Sequence, residues 1–82
     1  MTSNDAQVSI TTLLRRGPAP YSTIKRQCFA DNIRGCNPSD PALGNDHRAY
    51  GPVLDALDYM MKTKRIGRVQ MSGVSLFRIT EP

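Results

Sequence analysis

The feature that most constrains this chain is a change of hydrophobic period in its last third. In "VLDALDYMMK", Val53, Leu54, Ala56, Leu57, Met60 and Met61 fall on one side of a helical wheel, with Asp55, Asp58, Tyr59 and Lys62 on the other. Directly after it, "RIGRVQMSGVSLFRIT" alternates apolar and polar residues around Ser72-Gly73. That is the period of two short strands, 65–71 and 74–80, joined by a two-residue turn. A helix that runs straight into a hairpin predicts an α+β architecture. With that turn, Met71 faces Val74, Val69 faces Leu76, Arg68 faces Phe77 and Ile66 faces Ile79. Ile66, Phe77 and Ile79 then share the face that packs on the helices. Val69, Met71, Val74 and Leu76 form an unusually apolar outer face. A bulge near Gly67 or a longer loop would change this register.

The upstream sequence supplies two more helices, so the expected fold is mainly α. Asn4 or Asp5 is placed to cap a first helix with apolar positions Val8, Ile10, Leu13 and Leu14. Gly17, Pro18 and Pro20 end it, because proline cannot continue the ladder and restricts the residue before it. Ser22 is a good cap for a second helix over 23–30, with Ile24, Cys28 and Phe29 inward. Residues 31–46, "DNIRGCNPSDPALGND", have no period and read as a long loop. A helical turn at 46–50 leads towards Pro52, which suits the first turn of the third helix. Eighty-two residues with 39% apolar content fit one domain with one modest core. Its expected span is 5–80, with residues 1–4 disordered, the loop at 31–46 and the hairpin at 65–80.

Several function classes find no support. No apolar run approaches the ~20 residues of a membrane span, and the N-terminus lacks a signal-peptide pattern. The expectation is a soluble, cytoplasmic protein. Two cysteines are too few for a disulfide scaffold and read as reduced thiols. Cys28, Cys36 and His47, with seven and then ten residues between them, match no compact zinc spacing. A fourth ligand would have to come from Asp31, Asp40 or Asp46. Cys28 is more simply a core residue, although a redox pair with Cys36 is an alternative. One histidine, no Gly-rich phosphate loop and no nucleophile–base pair predict neither enzyme activity nor a cofactor.

The charge is informative through its distribution. The net charge is +4, and from 62 to 78 there are five cations and no acid. Asp40, Asp46, Asp55 and Asp58 lie just upstream. Lys62, Lys64, Arg65, Arg68 and Arg78 therefore form the leading candidate surface for a polyanion. The competing explanation is a solvated helix end, where cations favour the dipole. Arg15 and Arg16 close the first helix and read equally as C-terminal cations or phosphate contacts.

Three helices followed by a hairpin is the order of a winged helix-turn-helix domain. "VLDALDYMMKTKRIGRVQMSGVSLFRIT" resembles that family's third helix and wing, with Val53, Ala56, Leu57 and Met60 at its apolar spacing. Ile66 sits where its first wing strand begins, and "LFRIT" resembles its closing strand. "ITTLLRRGPAPYSTIKRQCFAD" is similar to its first two helices and their link. The resemblance covers roughly 6–80 and implies a small DNA-binding regulator of transcription or replication, comparable in size to those of phages and plasmids. By this resemblance Lys25 and Arg26, early in the second helix, would cross the DNA backbone. Arg48, Tyr50 and His47, at the start of the third helix, would read bases. The wing cations Lys62, Lys64, Arg65, Arg68 and Arg78 would neutralise phosphates. The expected partner is double-stranded DNA, with a homodimer through Val69, Met71, Val74 and Leu76. Two features depart from the family. The link between helices two and three is long, and Asp55 and Asp58 would repel phosphates from the third helix. The alternative is therefore a winged-helix module that binds protein instead of DNA. RNA ranks lower, since no aromatic stacking platform is evident.

Overall fold

The computed structural model describes residues 1–32 and 51–80. Its elements are α1 (Ser3–Leu14), α2 (Tyr21–Asn32), α3 (Gly51–Lys62), β1 (Ile66–Met71) and β2 (Val74–Ile79). Among the described residues, this is three helices followed by an antiparallel two-stranded hairpin. The α+β class with a C-terminal hairpin follows directly.

α1 is the helix on which the others converge. It packs on α2 and α3 and also touches β2. Ala6, Ile10 and Leu14 recur every four residues and so stack on one face, joining Ile24, Cys28, Val53, Ala56, Leu57, Met60 and Ile66 in the core. Val8 lies about half a turn from that row and is 68% exposed, so the expectation of an inward Val8 fails and Ala6 takes the place. The helix also starts earlier than expected. Thr2, not Asn4 or Asp5, is the N-cap: the Asp5 amide donates to Thr2 Oγ1 at 3.1 Å, and the Thr2 amide donates to Asp5 Oδ2 at 3.0 Å. This reciprocal pair is a capping box with aspartate at N3. These hydrogen bonds hold the Asp5 carboxyl below its ordinary pKa.

α2 begins at Tyr21, directly after Pro20, with Ser22 inside its first turn rather than capping it. Its C-terminus passes Ala30 to Asn32 because the last turn is tied down. Gln27 Nε2 donates to Asp31 Oδ1 at 2.8 Å, and Asn32 Nδ2 donates to the Cys28 carbonyl at 2.9 Å and to Ser9 Oγ at 3.0 Å. Asn32 thereby satisfies the hydroxyl of Ser9, which is buried in α1. Asp31 and Asn32 thus belong to a helix rather than to the expected loop, while 33–46 and the turn at 46–50 lie outside the described residues.

α3 presents Val53, Ala56, Leu57 and Met60 inward, as its period predicts. Leu54, expected on the same side, is 41% exposed because it sits at the flank of that stripe. The helix ends in a Schellman motif: the Lys64 amide donates to the Met61 carbonyl at 3.1 Å, and the Arg65 amide to the Met60 carbonyl at 2.9 Å. Lys64 holds the left-handed position with φ 60°, where glycine is usual.

The hairpin has the expected register, with Ile66 opposite Ile79, Arg68 opposite Phe77, Val69 opposite Leu76 and Met71 opposite Val74. The strands pair without a bulge at Gly67. Two contacts fix the hairpin to the helices. Ala19 and Phe77 exchange hydrogen bonds in both directions, at 3.0 and 2.8 Å. Thr80 donates its amide to the Arg65 carbonyl at 3.1 Å and its hydroxyl to the Lys64 carbonyl at 2.8 Å.

The turn residues Ser72 and Gly73 have φ of 53° and 78°, the two positive values of a type I′ turn. Serine tolerates the first of these poorly, and asparagine tolerates it well. Ser72→Asn is expected to stabilise the fold by about 0.5–1 kcal/mol, read as a Tm rise of a few degrees by circular dichroism. An unchanged or lower Tm would contradict the turn assignment.

Candidate nucleic-acid interface

Strand geometry divides the basic segment. Neighbouring residues of a strand point to opposite faces, so Arg68 and Arg78 part company. Arg68 shares its face with Phe77, lying 5.6 Å from the ring centroid and donating from Nη2 to Ser75 Oγ at 3.0 Å. Arg78 pairs with Gly67 in the register and is exposed on the other face, with Val69, Met71, Val74 and Leu76. A guanidinium over an aromatic face gains cation–π attraction and loses freedom, so Arg68 is presented in a defined orientation.

At the base of the hairpin, Lys62 extends from the last turn of α3 and Lys64 and Arg65 follow it. Lys62 Nζ is 3.0 Å from Asp58 Oδ2, both side chains largely in water. This is an i,i+4 pair in the favourable acid-first order, worth a few tenths of a kcal/mol. It also means that part of the Lys62 charge is answered within α3. Lys64 is exposed and Arg65 half-buried. Arg65 lines a groove of about 400 Å³ whose other wall is α1, from Asn4 to Arg15.

The second helix contributes less than expected. Lys25 is only 3% exposed. It follows Ile24 and precedes Phe29 by one turn, so its stem lies along the buried flank of α2. A phosphate contact by Lys25 is thereby removed from the candidate surface. Arg26 is half-buried, and its Nε is enclosed without a hydrogen-bond partner among the described residues. Arg48, Tyr50 and His47 lie outside the described residues.

The exposed side of α3 carries Leu54, Asp55, Asp58 and Tyr59, with Tyr59 52% exposed. Between this helix and the hairpin runs a second groove, of about 360 Å³, whose apolar floor includes Leu57, Met61 and Phe77 and whose rims carry Asp58 and Arg68. On the far side of the hairpin, Met71 and Val74 are 57% and 49% exposed, and Val69 and Leu76 are half-buried.

Two parts of this geometry escaped the sequence reading. The pairing of Ala19 with Phe77 had a signal, since a residue before a proline is driven to extended backbone and Ala19 lies between Pro18 and Pro20. That Arg15 and Arg65 line one groove had none, because it depends on how α1 lies against the end of α3.

Metal and redox chemistry rest on Cys28, because Cys36, Asp40, Asp46 and His47 lie outside the described residues. Among the described residues no three His, Cys, Asp or Glu side chains are grouped to hold a metal, and no helix is long and apolar enough to cross a membrane. Cys28 is 1% exposed, with its Sγ 3.9 Å from the Ala6 carbonyl. Burial, aided by the nearby Asp31 carboxylate, pushes its thiol up to about 12 from 9.0. The neutral thiol is therefore the form the fold holds. Its contribution is complete below the ordinary pKa of 9.0 and is lost as pH rises from there towards 12. In a Cys36→Ser variant, Cys28 is expected to resist a disulfide reagent at neutral pH until the chain is denatured. Rapid native-state labelling would contradict its burial.

Comparison with family models, curated proteins and solved structures finds no match for this chain, so its function is argued from the geometry above.

Proposed function

We propose that this chain is a small, non-catalytic winged-helix DNA-binding protein that regulates transcription or replication. The observation that carries the reading is the set of cations around the hairpin base, Lys62, Lys64, Arg65 and Arg68, of which Lys64 is the most telling. Its left-handed φ of 60° favours glycine, and a side chain there costs about 1 kcal/mol. A lysine kept against that cost, beside Arg65 and near Arg68, is consistent with use of its ammonium group. The order of three helices and a hairpin among the described residues supports the same reading by analogy of fold.

In this reading the hairpin and its base neutralise phosphates, and α3 takes a smaller share. Asp55 and Asp58 make a poor surface against a polyanion. The apolar face with Met71 and Val74 supports pairing of two copies, which would double the area on DNA.

A second reading has its own observation. The groove with Leu57, Met61 and Phe77 on its floor, beside exposed Leu54 and Tyr59, suits an apolar protein segment better than a phosphate. The two readings separate in one titration. Anisotropy on a labelled random duplex at about 50 and 200 mM salt is expected to show roughly a hundredfold loss of affinity across that range for four phosphate contacts. Absence of binding at the lower salt, or affinity indifferent to salt, would eliminate DNA as the partner.

A further inference from the structure

The hairpin and α3 each leave an exposed surface that combines an apolar patch with one uncommitted charge, and the two charges are opposite. On the outer face of the hairpin, Met71 and Val74 are 57% and 49% exposed, on the same face as the exposed Arg78. On α3, Leu54 and Tyr59 are 41% and 52% exposed, and the exposed Asp55 follows Leu54 one turn before Tyr59. The groove beside them has an apolar floor that includes Leu57, Met61 and Phe77. Arg68 and Phe77 line it from the other face of the hairpin, so the groove and the Met71 patch lie on opposite faces. We propose that copies of this chain associate head to tail, the outer hairpin face of one docking on the exposed side of α3 of the next. The inference rests on the pairing of copies in the reading above and names its geometry, and the contact forms without DNA.

Charge decides which surface of a second copy the hairpin meets. Arg68 and Asp58, on the groove rims, are already engaged, Arg68 with Phe77 and Ser75 and Asp58 with Lys62 at 3.0 Å. Among the described residues, Asp55 and Arg78 have no ion-pair partner. Hairpin on hairpin would set Arg78 against Arg78 of the second copy, with no acid in residues 62–78 to answer either. α3 on α3 would gather Asp55 and Asp58 of both copies. Like-charge juxtaposition disfavours both arrangements. Only hairpin on α3 sets Arg78 against Asp55.

The two patches also match in length. From Val74 to Arg78 a strand rises about 13 Å, and from Leu54 to Met61 a helix rises about 10 Å, a difference within the reach of an arginine side chain. Met71 is unbranched and flexible, which suits an apolar groove whose shape it has to fill. Because the docking surfaces lie on opposite faces, each added copy leaves one of each kind free. The row therefore grows instead of closing at two copies. Patches of this size make a weak contact.

Sedimentation of the whole chain without DNA, from about 10 μM to about 1 mM at about 50 mM salt, tests this where a weak, charge-assisted contact is populated. The expected result is a weight-average mass that rises with concentration past that of a dimer. Arg78→Glu and Asp55→Arg, both at exposed positions, should each weaken association about tenfold. Combined in one chain they should restore it, with thermal melts confirming that all three variants fold. A chain that stays monomeric throughout would overturn the proposal, as would a mass that stops at a dimer. So would an Asp55→Arg variant that associates as well as the unaltered chain, which would set hairpin against hairpin. The duplex titration reports on DNA separately: self-association without DNA binding sinks only the DNA reading, and DNA binding by a chain that stays monomeric sinks only this one.

Discussion

The exchange of backbone hydrogen bonds between Ala19 and Phe77 is the contact on which the rest of the arrangement depends. An isolated two-stranded hairpin is marginal in water. Here the link between α1 and α2 supplies an extended residue along its second strand, and Thr80 ties the strand's end to the exit of α3. The hairpin is thus held from two sides, with Ile66 in the core and Phe77 packed against it. Only a hairpin fixed in this way gives its arginines a defined direction.

A sequence reading reaches far into this fold, but unevenly. The register of the hairpin followed from the period of two and from Ser72-Gly73, because a slip of one residue would have turned Ile66 and Ile79 to water. The inner face of α3 followed from its spacing. The start of α1 did not, because Asp5 reads as a cap in its own right, whereas it stands at N3 and answers the Thr2 cap. Val8 was misplaced because apolar character alone does not give its face: it lies about half a turn from the row of Ala6, Ile10 and Leu14, and is 68% exposed. Lys25 was misjudged for a related reason. A long aliphatic stem can be covered by its surroundings whatever the charge at its tip.

The candidate site shows the same division. That residues 62–78 are basic was plain, but their distribution in space was not. Alternation sends Arg68 and Arg78 to opposite faces, Lys62 is shared with Asp58, and Arg65 turns towards α1. What looked like one basic surface resolves into a hairpin base with cations facing several ways. The acids of α3 stay on the exposed side of that helix, where Asp58 pairs with Lys62 and shares a groove with Arg68. This arrangement motivates the proposal that DNA contacts the hairpin base and leaves the exposed side of α3 largely uncovered.

The most direct test is an amide chemical-shift map of the chain titrated with a short random duplex at about 50 mM salt, where electrostatic contacts are strong. The account expects the largest perturbations at Lys64, Arg65 and Arg68, with residues 54–59 nearly unmoved. Perturbations concentrated in residues 54–59, with Lys64 and Arg68 silent, would contradict it.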